Sequence, residues 1–381
     1  MPASLTADFA RFAEELPADF PAIVRQSYGI DLSARYLGVP IPHPIGKGSG
    51  QLSLKEEQLE TDAKAGLAFA VLKTVIAQDE SGAQSMNAWA IHESRMLVER
   101  LRSRSGRTGW TVTWMGRGWD RSFEEYLALV RAGRGYTEAG RLLVIPSVKY
   151  HLPILGEPFR ASEYGFTTGA IAEAWGDGPL LLEKDFSPTL AGDILAGEQE
   201  RILRWIREVP HQIAGTGGAR VVLKLMNSRF DDDFQLRMLT SAAESGAAGA
   251  VVFNRMFDRD KGVAFGGWDL SERNIRVLQA ARERGISLPL SGTGNIGNGK
   301  LLLDYARLGC SSVQLHTFFQ LPLSEYPATS GSRTSRALHA LIFHPRDGVI
   351  AGMLELESGG YIHRRNGELR FLDLVESDAN Q

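Results

Sequence analysis

The sequence predicts a (β/α)8 barrel, and three observations carry that reading. Short apolar runs alternate with amphipathic stretches along most of the 381 residues. The runs are apolar throughout rather than at every second position, as parallel strands buried on both faces require. Near the C-terminus, two consecutive runs are each followed by a turn, Ser291-Gly-Thr-Gly-Asn-Ile-Gly-Asn298 and His316-Thr317. In barrels, adjacent turns after the seventh and eighth strands commonly form a phosphate cradle from oriented amides and a helix start.

Taken in order, the expected strands lie near 44–48, 68–73, 141–147, 179–184, 220–226, 249–254, 288–291 and 312–316. Helical periodicity fills 55–65, 166–175, 197–208, 231–245, 270–284 and 297–308. Asp231, Asp232 and Asp233 open one helix, where the dipole favours acids; they read as a helix start rather than a metal site. Gly246 and Gly285 stop two others, and Asn298 is placed to cap the helix that follows it. Two regions depart from a minimal barrel. Residues 86–140 hold two helix-like stretches around a strand-like piece at Trp110–Trp119, expected as an insertion over the barrel mouth or an edge strand. The tail alternates between 349 and 374 and turns at Gly359-Gly360 and Asn366-Gly367, which suggests a small antiparallel extension. The expected organisation is one domain: 1–40 as a helical segment and barrel-bottom plug, 41–345 as the barrel, 346–381 as the β extension.

Composition narrows the function. The chain is 43% apolar and 23% charged with a net charge of -3, an ordinary globular balance that points away from nucleic acid. A single cysteine, Cys310, excludes intrachain disulfides and cysteine-held metal or iron–sulfur centres. Cys310 itself reads as packing. No apolar run approaches the roughly 20 residues of a membrane span, so no membrane insertion is expected. The N-terminus lacks the pattern of a signal peptide, and a cytoplasmic enzyme is expected. His92, His151, His339, His344 and His363 show no metal-ligand spacing, so no metal site is expected.

Three lysines end apolar runs: Lys73, Lys184 and Lys224. In a parallel barrel those positions fall at the C-terminal mouth. They either pair with Glu183, Asp185 or a loop acid, or meet an anionic ligand. A flavin suits the second alternative, because its reduced ring carries negative charge at N1/O2 and its phosphate fits the cradle. His316 donates to that phosphate or is structural; Trp110, Trp114 and Trp119 cover a ligand or pack the core.

Several segments, in order across roughly residues 31–320, resemble the FMN-dependent dihydroorotate dehydrogenase family and its dihydropyrimidine dehydrogenase relatives. Pro44-Ile-Gly-Lys-Gly-Ser-Gly50 is similar to the first-strand motif that lies along the flavin, which implies Gly48, Ser49 and Gly50 as cofactor contacts. Leu72-Lys-Thr74 resembles the second-strand Lys-Ser/Thr pair, Val222-Leu-Lys-Leu225 the strand whose lysine touches the flavin near N1, and Val252-Phe-Asn254 the strand ending in a substrate-facing Asn. Gly266-Gly267 resembles the glycine loop beside the flavin. Ser291-Gly-Thr-Gly294 and His316-Thr317 resemble the two phosphate turns.

The fourth strand departs most. Where the family has Asn-Leu-Ser-Cys/Ser-Pro-Asn, this chain has Lys184-Asp-Phe-Ser-Pro-Thr189. The resemblance puts Ser187 on the proton-transfer position, with Lys184 assisting, and Lys73, Lys184, Thr189 and Asn254 around the substrate. Loss of both asparagines implies a ligand other than orotate, and Lys184 suits a carboxylate or enolate oxygen. The expected activity is hydride transfer between a small carboxylated or carbonyl substrate and flavin N5, in a homodimer with an unknown electron acceptor. The alternatives are dihydroorotate oxidation proper, a flavin-free lyase or isomerase of a phosphorylated substrate using Lys184 or Lys224, and a non-catalytic ligand-binding barrel.

Overall fold

The computed structural model describes residues 3–87, 91–102, 106, 108–154, 156–186, 198–215, 218–258, 263–265 and 268–377. A parallel sheet of ten segments forms the centre. Its strands are β1 (Ile45–Lys47), β2 (Phe69–Val71, resuming as Val75–Ile76), β3 (Leu143–Ile145, resuming as Ser147–Lys149), β4 (Leu181–Asp185), β5 (Arg220–Met226), β6 (Gly249–Asn254), β7 (Leu290–Gly292) and β8 (Cys310–Leu315). The first halves of β2 and β3 pair with each other, and so do their second halves. The ten segments therefore make eight staves, and the sheet closes between β2 and β3. Helices α1 (Glu56–Lys64), α2 (Phe123–Glu138), α3 (Ala161–Trp175), α4 (Glu198–Ala214), α5 (Asp232–Glu244), α6 (Trp268–Glu283), α7 (Gly299–Arg307) and α8 (Arg333–Phe343) follow the strands in turn. This is the (β/α)8 barrel that the sequence predicts. Among the described residues no helix is long and apolar enough to cross a membrane.

Register decides which strand residues face the barrel interior. Ser147 sits opposite Glu183, and Asp185 opposite Lys224; one step along, Lys184 sits opposite Val148 on one side and Leu223 on the other. Glu183 reaches Gln314 of β8, on the far side of the barrel. Because side chains alternate along a strand, Ser147, Glu183, Asp185 and Lys224 point inward and Lys184 points outward. The N-terminal end is filled by a short hairpin, Ala34–Tyr36 against Val39–Ile41. Its buried Tyr36 packs against the Phe69 ring at a tilt of 37° and accepts a hydrogen bond from Gln314 at 2.8 Å.

Three expectations need correction. The tail is helical, not an antiparallel extension: Val349–Ser358 is a helix, and Phe371–Glu376 another. The alternation of Met353-Leu-Glu-Leu-Glu357 also places Val349, Met353 and Ile350, Leu354 four apart, and the buried face of α7 selects that period. Gly352 packs directly on Leu303 of α7. Both expected turns are present, but Gly359-Gly360 ends a helix and only Asn366-Gly367 has the hairpin form, with Arg365 and Glu368 exchanging backbone bonds of 2.8 and 3.1 Å. Leu369–Arg370 then pairs in parallel with Ile30–Asp31 near the other terminus. The 86–140 insertion is an antiparallel pair, Ile91–Arg102 with Thr108–Arg117, while the second helix-like stretch is α2, opened by a capping box of Ser122 and Glu125. The first stretch is rich in helix formers, but a β-prone partner, Trp110-Thr-Val-Thr-Trp114, overrides that preference. Finally, α4 runs past the expected end to Ala214, with Pro210 buried inside it.

A buried histidine below β1 gives the fold a pH dependence. His43 Nε2 lies 2.8 Å from Gly66 O, while its Nδ1 accepts from Ile45 N at 3.3 Å, which defines the neutral tautomer. Burial pulls the imidazole from 6.5 to about 4. Between those values the unfolded chain binds a proton that the native state excludes. Stability therefore falls as pH drops through that window, by about 3 kcal/mol in all. Urea midpoints at pH 7 and 4.5 should differ more for the parent than for His43→Gln, whose amide does not titrate. Equal differences would remove His43 from the account.

Candidate functional site

A cleft of about 300 Å³ opens at the C-terminal mouth. Its floor is the turn after β7, Thr293 to Gly297; one wall is the turn after β8, including His316 and Thr317. Asn254 and Arg255 at the end of β6 form the far side, and Gly109 and Trp110 from the antiparallel insertion overhang it. The insertion is held over the mouth by Arg100, which contacts Glu325 at 2.9 Å and lies 4.9 Å from the Trp110 ring centre.

The floor is built for close backbone approach. Gly294 has φ +100 and Asn295 φ +57, both in the left-handed region. Among the described residues, none accepts a hydrogen bond from the backbone N–H of Gly294, Asn295, Ile296 or Gly297. Asn298 accepts from Leu301 N at 2.8 Å and starts α7 beneath them. Successive amides at a helix start attract anions. Beneath the turn, Asn274 Nδ2 bridges Phe253 O and Thr293 O, each at 2.9 Å, and fixes its shape.

The turn after β1 lies alongside. Gly48 N donates to Leu315 O at 2.9 Å, tying it to β8, and Ser49 Oγ is 2.8 Å from Thr74 Oγ1. Gly50 has no side chain because the His316 ring occupies the space; a Cβ there would overlap it. Burial, then Arg255, Lys73, Lys224 and Lys47, push His316 well below the usual imidazole range, so it is neutral. Arg255 is pulled down to about 9 by burial against the opposing effect of Asp185. Asp185 also lies 3.4 Å from Thr74 Oγ1.

The residues expected from sequence divide into five groups. Asn254, Thr293, Gly294, His316 and Thr317 line the one cleft. Lys73, Lys224, Gly48, Ser49, Gly50 and Thr74 gather beside it through the contacts above. Ser291 and Gly292 do not reach it: Ser291 Oγ accepts from Ser312 Oγ at 3.0 Å inside the barrel, and Gly292 packs on Tyr305. Lys184 is fully buried, its amine 3.1 Å from Asp185 O and 4.8 Å from the Phe186 ring centre. Burial, with Lys149 adding to it, pushes that amine well below the usual lysine range. Ser187, Thr189, Gly266 and Gly267 lie outside the described residues. Sequence reasoning passed over Arg255, Lys149 and Gln314, and treated Glu183 and Asp185 only as partners for lysines. The usable signal was strand period: in Glu183-Lys184-Asp185 only the acids share a face.

No protein-family model matches this sequence, and no curated protein matches it. Among solved structures the chain is similar to a DHODH (dihydroorotate dehydrogenase) from Eimeria tenella, determined in complex with ferulenol. The two are 12% identical, superpose with a TM-score of 0.61, and the match covers 96% of this chain and 95% of that one. The architecture is thus a (β/α)8 barrel of the DHODH type.

Proposed function

We propose that this protein is an FMN-dependent oxidoreductase acting on a small carboxylated or carbonyl substrate. One observation carries the reading: the turns after β7 and β8 line a single cleft, and four consecutive backbone N–H groups of the first turn, Gly294 to Gly297, have no hydrogen-bond acceptor among the described residues. That turn suits a phosphate, and the overlying tryptophan and adjacent lysines suit a flavin ring. The residues fit FMN in this sense: Gly294 to Gly297 and Thr317 would hold the phosphate, the turn Gly48 to Gly50 would border the ring, and Lys224 would stabilise negative charge at N1/O2. When bound, FMN supplies a hydride acceptor and donor at N5.

The chain's own residues do the rest. Asn254, Lys73 and Thr189 would orient the substrate and Trp110 would shield it from water, while the resemblance assigns Gly266 and Gly267 to the ring. Ser187 moves a proton at the carbon next to the hydride-transferring one; a hydroxyl needs an acceptor of its own for this. Lys184 is left out of the substrate contacts, because its outward register supports no such role. The same burial removes support from a lyase that would use Lys184 as its amine. Dihydroorotate is the first substrate to try, ahead of other carboxylated reductants and enones. We read the protein as a cytoplasmic homodimer.

The test is the absorption spectrum of purified protein, with mass analysis of what denaturation releases. Flavin bands and free FMN support the reading; a colourless protein that takes up no added FMN ends it. Lys224→Met should weaken FMN by about tenfold to a hundredfold, the range of a lost charge-assisted hydrogen bond. Unchanged FMN affinity would place Lys224 away from the ring.

A further inference from the structure

A chain of polar side chains runs through the barrel interior, and no step above uses it to move a proton. Its inner end is Glu183, fully shielded from solvent. The carboxylate accepts from Ser147 Oγ at 3.0 Å and Gln314 Nε2 at 2.8 Å, with Lys224 Nζ 3.6 Å away. Ser147 Oγ lies 3.0 Å from Thr74 Oγ1, which lies 2.8 Å from Ser49 Oγ. Ser49 is partly exposed, in the β1 turn whose Gly50 touches the cleft residue His316. Every link is within hydrogen-bond distance.

A counter-ion for Lys224 needs only the carboxylate. The two hydroxyl–hydroxyl links need more explanation, since each can run in either direction. With Glu183 ionised, Ser49 donates to Thr74, Thr74 to Ser147 and Ser147 to Glu183. With Glu183 neutral, all three reverse and Ser49 donates into the cleft. Switching between the two moves one proton from end to end without moving a heavy atom.

We propose that Glu183, Ser147, Thr74 and Ser49 form a proton wire joining the barrel interior to the cleft. Outward, the Ser49 O–H bond breaks as its proton passes to an anion in the cleft. Ser49 is reprotonated by Thr74, Thr74 by Ser147, and Ser147 by the Glu183 carboxyl. The net change is one proton lost by Glu183, which becomes a carboxylate beside Lys224, and one gained by the acceptor; no electrons move. The acceptor class is the enolate oxygen left when hydride adds to an unsaturated carbonyl substrate, which becomes an enol while the proton at the neighbouring carbon stays with Ser187, and this use of the wire rests on the flavin reading. The groups facing Glu183 are Lys224 from β5, Tyr36 from the N-terminal hairpin, Tyr126 from α2 and Asp185 on its own strand. Burial raises the Glu183 carboxyl; Lys224 opposes that and Asp185 adds to it.

The wire is tested without flavin or substrate. Infrared spectra of the purified protein, taken across pH and after transfer to D2O, follow the carboxylic acid carbonyl band. The parent should show a band persisting above the ordinary carboxylate range that is missing in Glu183→Gln. Its shift on deuteration should be at least tenfold slower in Thr74→Val, and in Ser147→Ala should Thr74→Val fail to fold. Absence of that band in the parent, or equal exchange in the interrupted variants, overturns the proposal. The visible spectrum reports on the flavin reading separately, so each can fail alone.

Discussion

Lys47→Met is expected to lower the unfolding free energy by about 3–5 kcal/mol, because it strands a buried carboxylate. Lys47 leaves β1 on the outer face and meets Asp62 of α1 at 2.5 Å, with side-chain exposures of 4% and 1%. Thr334 of α8 completes the cluster, 3.1 Å from the amine and 2.7 Å from Asp62 Oδ1. Burial lowers Lys47 and raises Asp62, and each partner opposes the shift of the other. The cluster joins the first barrel strand and helix to the last barrel helix, so it staples the ends of the barrel together. Removing the amine alone leaves Asp62 to be protonated or hydrated in a site built for an ion pair. Lys47→Met with Asp62→Leu should recover most of the loss, since an apolar pair of similar volume needs no compensation. Urea denaturation of the two variants decides it. A double variant as unstable as the single one would show that packing, not charge, holds this corner.

Gly294→Ala should destabilise the fold by about 2–3 kcal/mol and abolish phosphate binding in the cleft. The backbone at φ +100 is strained for any L side chain, and the new Cβ would overlap Asn274 Nδ2 and sit 2.6 Å from Phe253 O. The carbonyl cannot yield without shifting β6. Asn274 cannot yield without releasing Phe253, Thr293 and the Tyr305 hydroxyl 3.0 Å away. The turn must therefore move, and its four N–H groups move with it. Calorimetry with inorganic phosphate, alongside thermal unfolding, separates the effects. A variant that is less stable but binds phosphate as the parent does would place the anion elsewhere.

Strand and helix alternation made the barrel legible, because apolar runs buried on both faces and dipole-matched helix starts are local properties. Positions 220–226 and 249–254 are strands with the expected bounds. The cleft turns were legible for the same reason: Gly294 and Asn298 do local work, one in the left-handed region and one as a cap. The tail misled because Met353 to Glu357 satisfies two periods at once, and only contact with α7 chooses between them. The first stretch of the insertion misled because its strand character depends on a partner.

By itself the sequence determined the fold class, the order of the staves and the places where backbone must approach a ligand closely. Tertiary structure decided which charges share the barrel interior. Lys184 and Asp185 are adjacent in sequence, and only the lysine was expected at the active site. A one-residue alternation, made certain only by pairing with β3 and β5, sends the acid inward and the lysine out. Such register comes from neighbouring strands rather than from the residue itself, which is why the interior network of Glu183, Gln314 and Ser147 emerged only when the barrel closed.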